Sequence, residues 1–160
     1  MNEMGVFLKT NEGKEVMKRQ EKKMEFVSDP RAIYQDHFVS VRSDYLIVKK
    51  YFFPSQLPYD FPWDHIHSIT FCPQSHEDKS KVPEKGDDEE GRWWAIDVLR
   101  PEDRQLPLFN IRIEADADPP KSGFTVERIE QFITACRPFL PYSCSISYEK
   151  EGEEDYSDDE

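Results

Sequence analysis

Nine consecutive residues, Tyr45-Leu46-Ile47-Val48-Lys49-Lys50-Tyr51-Phe52-Phe53, are stopped by Pro54. β-Branched and aromatic side chains crowd a helix and fit a pleated surface, so this run predicts a strand. Phe38-Val39-Ser40-Val41-Arg42 alternates just before it, and Ser43-Asp44 between the two is a short turn signal. Together they predict a tight hairpin, closed at its far end because proline has no donor for the ladder. Residues 59–62 and 66–71 predict two further strands, with Pro62-Trp63-Asp64 as the bend between them. Residues 93–98 predict another. In 108–113, Phe109, Ile111 and Ile113 share one face while Asn110, Arg112 and Glu114 share the other. Gly123-Phe124-Thr125 predicts a short last strand.

The period then changes. Val126, Ile129, Phe132, Ile133 and Cys136 form one apolar stripe at helical spacing. Thr125 is the expected N-cap, Glu127 falls in the first turn and Arg137 in the last, where the helix dipole favours each charge. Pro138 cannot continue the helix. About seven strands followed by one amphipathic helix define an α+β, mainly β fold. The expected architecture is a curved antiparallel sheet, or partly open barrel, capped by the C-terminal helix.

Charge divides the chain. Residues 1–30 carry six basic and six acidic side chains; residues 31–143 carry fourteen and nineteen; residues 144–160 carry one and eight. The expected organisation is an N-terminal extension (1–30), a folded domain (31–143) and a disordered acidic tail (144–160), since the tail cannot bury apolar area. Thr10 or Asn11 could cap a helix in the extension that carries Val16, Met17, Met24 and Phe26. Residues 73–91 hold seven acids and three lysines, which predicts a long mobile loop inside the domain. Aromatics at 13% exclude a wholly disordered chain. No stretch approaches the roughly 18–20 apolar residues of a membrane span, and no signal-peptide pattern is visible. Cys72, Cys136 and Cys144 are too few for a disulfide framework and predict a reducing compartment, the cytoplasm or the nucleus.

The order of elements and several local residues resemble the pleckstrin-homology-like superfold. In particular, 46–54 followed by Phe61-Pro62-Trp63-Asp64-His65-Ile66-His67-Ser68-Ile69 is similar to small bacterial-type pleckstrin-homology-like domains, as are Gly123-Phe124-Thr125 and Phe132. The resemblance covers about residues 36–140. It implies a binding module and says little about the ligand. Phosphoinositide-binding members have a longer basic loop between the first two strands; here that connection is Ser43-Asp44.

Candidate chemistry is sparse. Nucleotide-binding and hydrolase motifs are absent and no catalytic residue is assigned, so no enzyme activity is expected. Asp64, His65, His67, Cys72 and His76 lack CxxC or HExxH spacing and read as surface groups beside a strand end, with no metal or cofactor expected. Adjacent strand residues face opposite sides, so Trp94 with Ile96 and Val98 is placed in the core. That leaves Trp93 with Asp97 outside, either as a candidate partner surface or packed under the N-terminal helix or the acidic loop. Arg42, Lys49 and Lys50 are the candidate lipid contacts. Ser157, with Glu160 three residues on, is a candidate phosphosite. The leading expectation is a non-catalytic module binding a protein partner. Membrane lipid and a basic nuclear partner such as a histone, drawn by the tail, are the alternatives. Nucleic acid is excluded for want of a basic face.

Overall fold

A computed structural model describes residues 28–102, 104 and 107–149. The chain divides at Pro30, and the architecture below is that of the unit from Arg31 onward. The helix expected between Thr10 and Phe26 lies outside the described residues.

Among the described residues, ten short strands form two sheets. β1 (Tyr34–Gln35), β2 (Val39–Val41), β3 (Tyr45–Val48) and β4 (Tyr59–Pro62) make an antiparallel meander in chain order. The second sheet contains β5 (Ile66–Pro73), β6 (Gly86–Asp87), β7 (Trp93–Trp94), β8 (Phe109–Ala115), β9 (Lys121–Val126) and β10 (Ser145–Tyr148), in the order β10-β5-β8-β9-β7-β6. β5, β8 and β9 pair antiparallel, whereas β10 joins β5 and β7 joins β9 in parallel. The helix α1 (Ile129–Cys136) follows β9. Mainly β with one short C-terminal helix is therefore correct, and neither sheet closes into a barrel.

The predicted hairpin forms, with Val41 opposite Leu46 and Val39 opposite Val48. Val39, Val41, Leu46 and Val48 are fully buried, as the alternation requires. One core joins these residues to Phe61, Ile66, Ile69, Ile111 and Ile113 from the strands and to Phe132 and Cys136 from α1. Burial pushes the Cys136 thiol far above its ordinary pKa, which keeps it protonated and inert.

Four expectations are corrected. First, β3 ends at Val48 rather than at Phe53, because Lys50 turns the chain at φ 51°. Second, α1 starts at Ile129, so Val126 belongs to β9 and Thr125 is not its cap. The helix entry is held from another element instead. The Asp36 carboxylate accepts from Glu127 N (2.9 Å), from Phe38 N (2.7 Å) and Val39 N (2.9 Å), and from the Tyr34 hydroxyl. Glu127 pairs with His37 at 2.6 Å. Third, residues 145–148 are a strand, so the expected tail gives its first residues to the sheet.

Fourth, residues 73–91 are no open loop. They fold into two 3-10 turns and β6, with Gln74 and Val82 buried. Glu77 grips Arg112 with both oxygens, at 2.7 and 3.1 Å. The reason lies in β8 and β9. Their second face carries Asn110, Arg112, Gly123 and Thr125, and the insertion supplies polar partners that cover it.

Candidate functional site

The covered face has Trp94 at its centre. Its ring lies flat on Gly123, where a Cβ would stand 2.5–2.6 Å from three ring atoms. The Arg100 and Arg112 guanidinium carbons stand 4.8 and 5.1 Å from the Trp94 ring centroid. Trp94 Nε1 donates to Asp88 at 3.0 Å. Trp94 is thus fully buried as expected, but beneath the insertion and outside the main core. Trp93 does the reverse and leans on the main core through Tyr51. The two faces are exchanged because β7 is only two residues long and the chain leaves the ladder before Val98, which is exposed.

Asp97 was placed outside with Trp93. It is buried, and its carboxylate accepts from the Thr125 hydroxyl at 2.6 Å and from Arg104. Burial works to raise its pKa, yet the guanidiniums of Arg100 and Arg104 and these hydrogen bonds outweigh it and hold the carboxyl below its usual range. Arg100 is 1% exposed and donates to the carbonyls of Pro83 (2.9 Å) and Ala95 (2.7 Å). Burial draws its pKa down to about 10 despite Asp97, so it stays charged at neutral pH. Asp97 is a structural ion-pair member, unavailable as a contact surface. Since overpacking costs roughly 1–3 kcal/mol, Gly123→Ala is expected to lower stability by about that amount and to shift the tryptophan emission. Unchanged melting and emission would show that Trp94 does not sit on Gly123.

The cationic candidates do not converge. Lys49 Nζ donates to the Asp36 carbonyl at 2.8 Å. Lys50 lies beyond β3, and its carbonyl accepts from Ile96 N at 2.9 Å. The Arg42 carbonyl accepts from Trp63 Nε1 at 2.8 Å, at the other end of the hairpin. Beside it, Asp44 in the turn pairs with Arg31 at 3.1 Å. His67 pairs with Asp116 at 2.7 Å, and no group of three or more metal-ligating side chains occurs among the described residues. Ser157 and the acids beyond Glu149 lie outside the described residues.

The structure brings together a different set around Trp93. Past Lys50 the chain makes a tight turn: Gln56 N donates to the Phe52 carbonyl at 2.8 Å, while Tyr51 N and Phe52 N both donate to the Leu57 carbonyl at 3.0 and 3.1 Å. Tyr51 anchors the turn. It is fully buried, its hydroxyl meets Ser122 Oγ at 2.6 Å, and burial pushes its pKa up to about 12. Trp93 Nε1 donates to the Tyr51 carbonyl at 2.8 Å and its ring stacks on Phe53, centroids 5.1 Å apart. Phe52 stacks on Tyr59 at 5.9 Å. Gly86, at φ 84°, passes close beneath the Phe53 ring: a Cβ there would stand 3.2 Å from it, a tight contact, and the positive φ itself favours glycine.

The turn nevertheless leaves Phe52 37%, Phe53 38% and Leu57 60% exposed. Sequence reasoning read Phe52 and Phe53 as strand residues and missed Leu57. Pro54 and Pro58, four residues apart, are the signal that a turn rather than a strand follows Lys50.

Compared with protein-family models, with curated proteins and with solved structures, the chain matches none. Among the described residues, no helix is long and apolar enough to cross a membrane.

Proposed function

We propose that the chain is a non-catalytic, pleckstrin-homology-like interaction module that binds a protein partner through the apolar tip formed by Phe52, Phe53 and Leu57. The fold reading is supported by the order of a four-strand meander, the three antiparallel strands β5, β8 and β9, and then α1. Residues 74–108 are an insertion into that plan, and β10 is an addition at its edge.

The observation that carries the binding reading is the tip itself. Three large apolar side chains are held out to water on a backbone fixed by three hydrogen bonds and a buried tyrosine. A rigid apolar projection loses little conformational freedom on binding, and buried aromatic anchors dominate interface energies. Lys85, whose ammonium stands 5.6 Å from the Phe53 centroid, and Glu84, its ion-pair partner at 2.9 Å, supply a polar rim.

The test is proximity labelling in the cells of origin, with the wild-type chain and the variant Phe52→Ser/Phe53→Ser/Leu57→Ser side by side. A partner enriched only by the wild type is then purified, and its affinity for the variant is expected to fall at least about 30-fold, the equivalent of one lost hot spot of about 2 kcal/mol. Equal enrichment and affinity for both chains would sink the tip reading. Wild-type pelleting with anionic vesicles, lost in the variant, would replace the protein partner with a lipid surface.

A further inference from the structure

The outer edge of β5 is occupied by the chain itself, and weakly. β5 is eight residues long, while β10 covers only Ser68, Ile69, Thr70 and Phe71 of it. In β10 only Ile146 is half-buried; Ser145, Ser147 and Tyr148 are exposed. Among the described residues, no side chain of β10 makes a hydrogen bond or an ion pair. Besides its backbone ladder, β10 is held by the Tyr148 ring, 5.4 Å from that of Phe71, and by Ile146 against the core. Glu149 N adds one more backbone bond to the Phe71 carbonyl at 2.8 Å.

The inner edge of β5 differs. It pairs with β8 over seven positions and contributes fully buried Ile66 and Ile69. Four residues of parallel pairing at an exposed end, reached through a turn in which Tyr142 stands wholly in water, have little to resist opening. The chain beyond them carries seven acids and one lysine over 150–160.

We propose that β10 is a detachable strap, and that the β5 edge beneath it takes an extended segment of a partner chain as an added strand. β10 itself shows the chemistry of the occupant: a short strand with one aliphatic side chain where Ile146 sits and an aromatic ring two residues later for Phe71. Once the strap leaves, those peptide groups of residues 68–71 that face it lose their partners, and an unpaired edge is a template for another strand. This surface is separate from the apolar tip and does not depend on it. The strap competes in cis, at an effective concentration set by its short tether, so a partner strand binds the closed chain poorly. Weakening the strap therefore raises affinity.

The experiment uses the full chain and a fluorescent peptide carrying residues 142–149 with Cys144→Ser. Ile146→Asp removes the half-buried anchor of the strap. Binding of the peptide to Ile146→Asp is expected to be at least ten-fold tighter than to wild type. Equal binding to both chains, or none to the folded variant, would overturn the proposal. Should Ile146→Asp fail to fold, hydrogen exchange on the wild-type chain decides. Amides of β10 are expected to exchange at least 100-fold faster than those shared by β8 and β9, and exchange as slow as that inner ladder defeats it.

Discussion

Phe132→Ala is expected to be the most destabilising single truncation in the helix. Phe132 is fully buried, with its ring edge-on to Tyr34 at 5.8 Å and to Phe124 at 6.2 Å. It therefore ties α1 to β1 of one sheet and to β9 of the other. Removing such a ring costs about 3–5 kcal/mol, the lost transfer energy plus the cavity left behind. A domain this size has roughly 5–15 kcal/mol in total, so the variant should melt roughly 10 °C or more below wild type. Calorimetry on the purified chains measures this directly. A shift of a degree or two would mean that α1 contributes little to the core, contrary to its burial. Phe139→Ala, outside α1 and only partly buried, is the comparison and should shift the melt far less.

Asp97→Ala should come close to it by a different route. The substitution breaks the buried ion pair of Asp97 with Arg104 and removes the negative charge closest in effect to the buried Arg100, and breaking a buried pair from one side costs about 3–5 kcal/mol. The Thr125 hydroxyl and Arg104 lose their acceptor at the same time. The same pair gives the domain an acid-sensitive term. The Asp97 pKa is lower folded than unfolded, so near and below the unfolded value of about 4 the unfolded state binds the proton more readily. The contribution is complete above that pH and declines as pH falls through the folded pKa. Denaturant titrations from pH 7 down to pH 3 should show wild-type stability dropping toward that of Asp97→Ala, with the gap between the two chains narrowing. A gap that stays constant across this range would remove Asp97 from the acid response.

Both variants act on parts of the molecule that differ in how far they could be read beforehand. Phe132 was assigned to the core from its place in an i, i+3, i+6, i+7 stripe, and the helix buries Phe132, Ile133 and Cys136 of that stripe, while Val126 is buried from β9. Asp97 was assigned to the surface from strand alternation with Trp93, and that failed. Alternation predicts faces only while the chain stays in a ladder, and the ladder at β7 lasts two residues. The same limit misplaced Phe52 and Phe53. Their β propensity is real, but the left-handed turn at Lys50 takes them out of β3, and propensity is silent on where a strand must stop.

The local order of elements was legible in the residues themselves. The hairpin around Ser43-Asp44, the strands at 59–62 and 66–71, the alternating β8 and the amphipathic helix near the end all follow from side-chain period and turn chemistry, which act between near neighbours. Tertiary structure alone decided the rest. It folded the charged stretch 73–91 onto the second face of β8 and β9, because Asn110, Arg112 and Thr125 needed polar partners that only distant segments could supply. It capped the helix entry with Asp36, ninety-one residues away. It also stacked Phe53, in the turn that carries Phe52 and Leu57, on Trp93, and laid residues 145–148 on β5. Each of these depends on groups far apart in the chain meeting in space, and no periodicity within a short window encodes such a meeting.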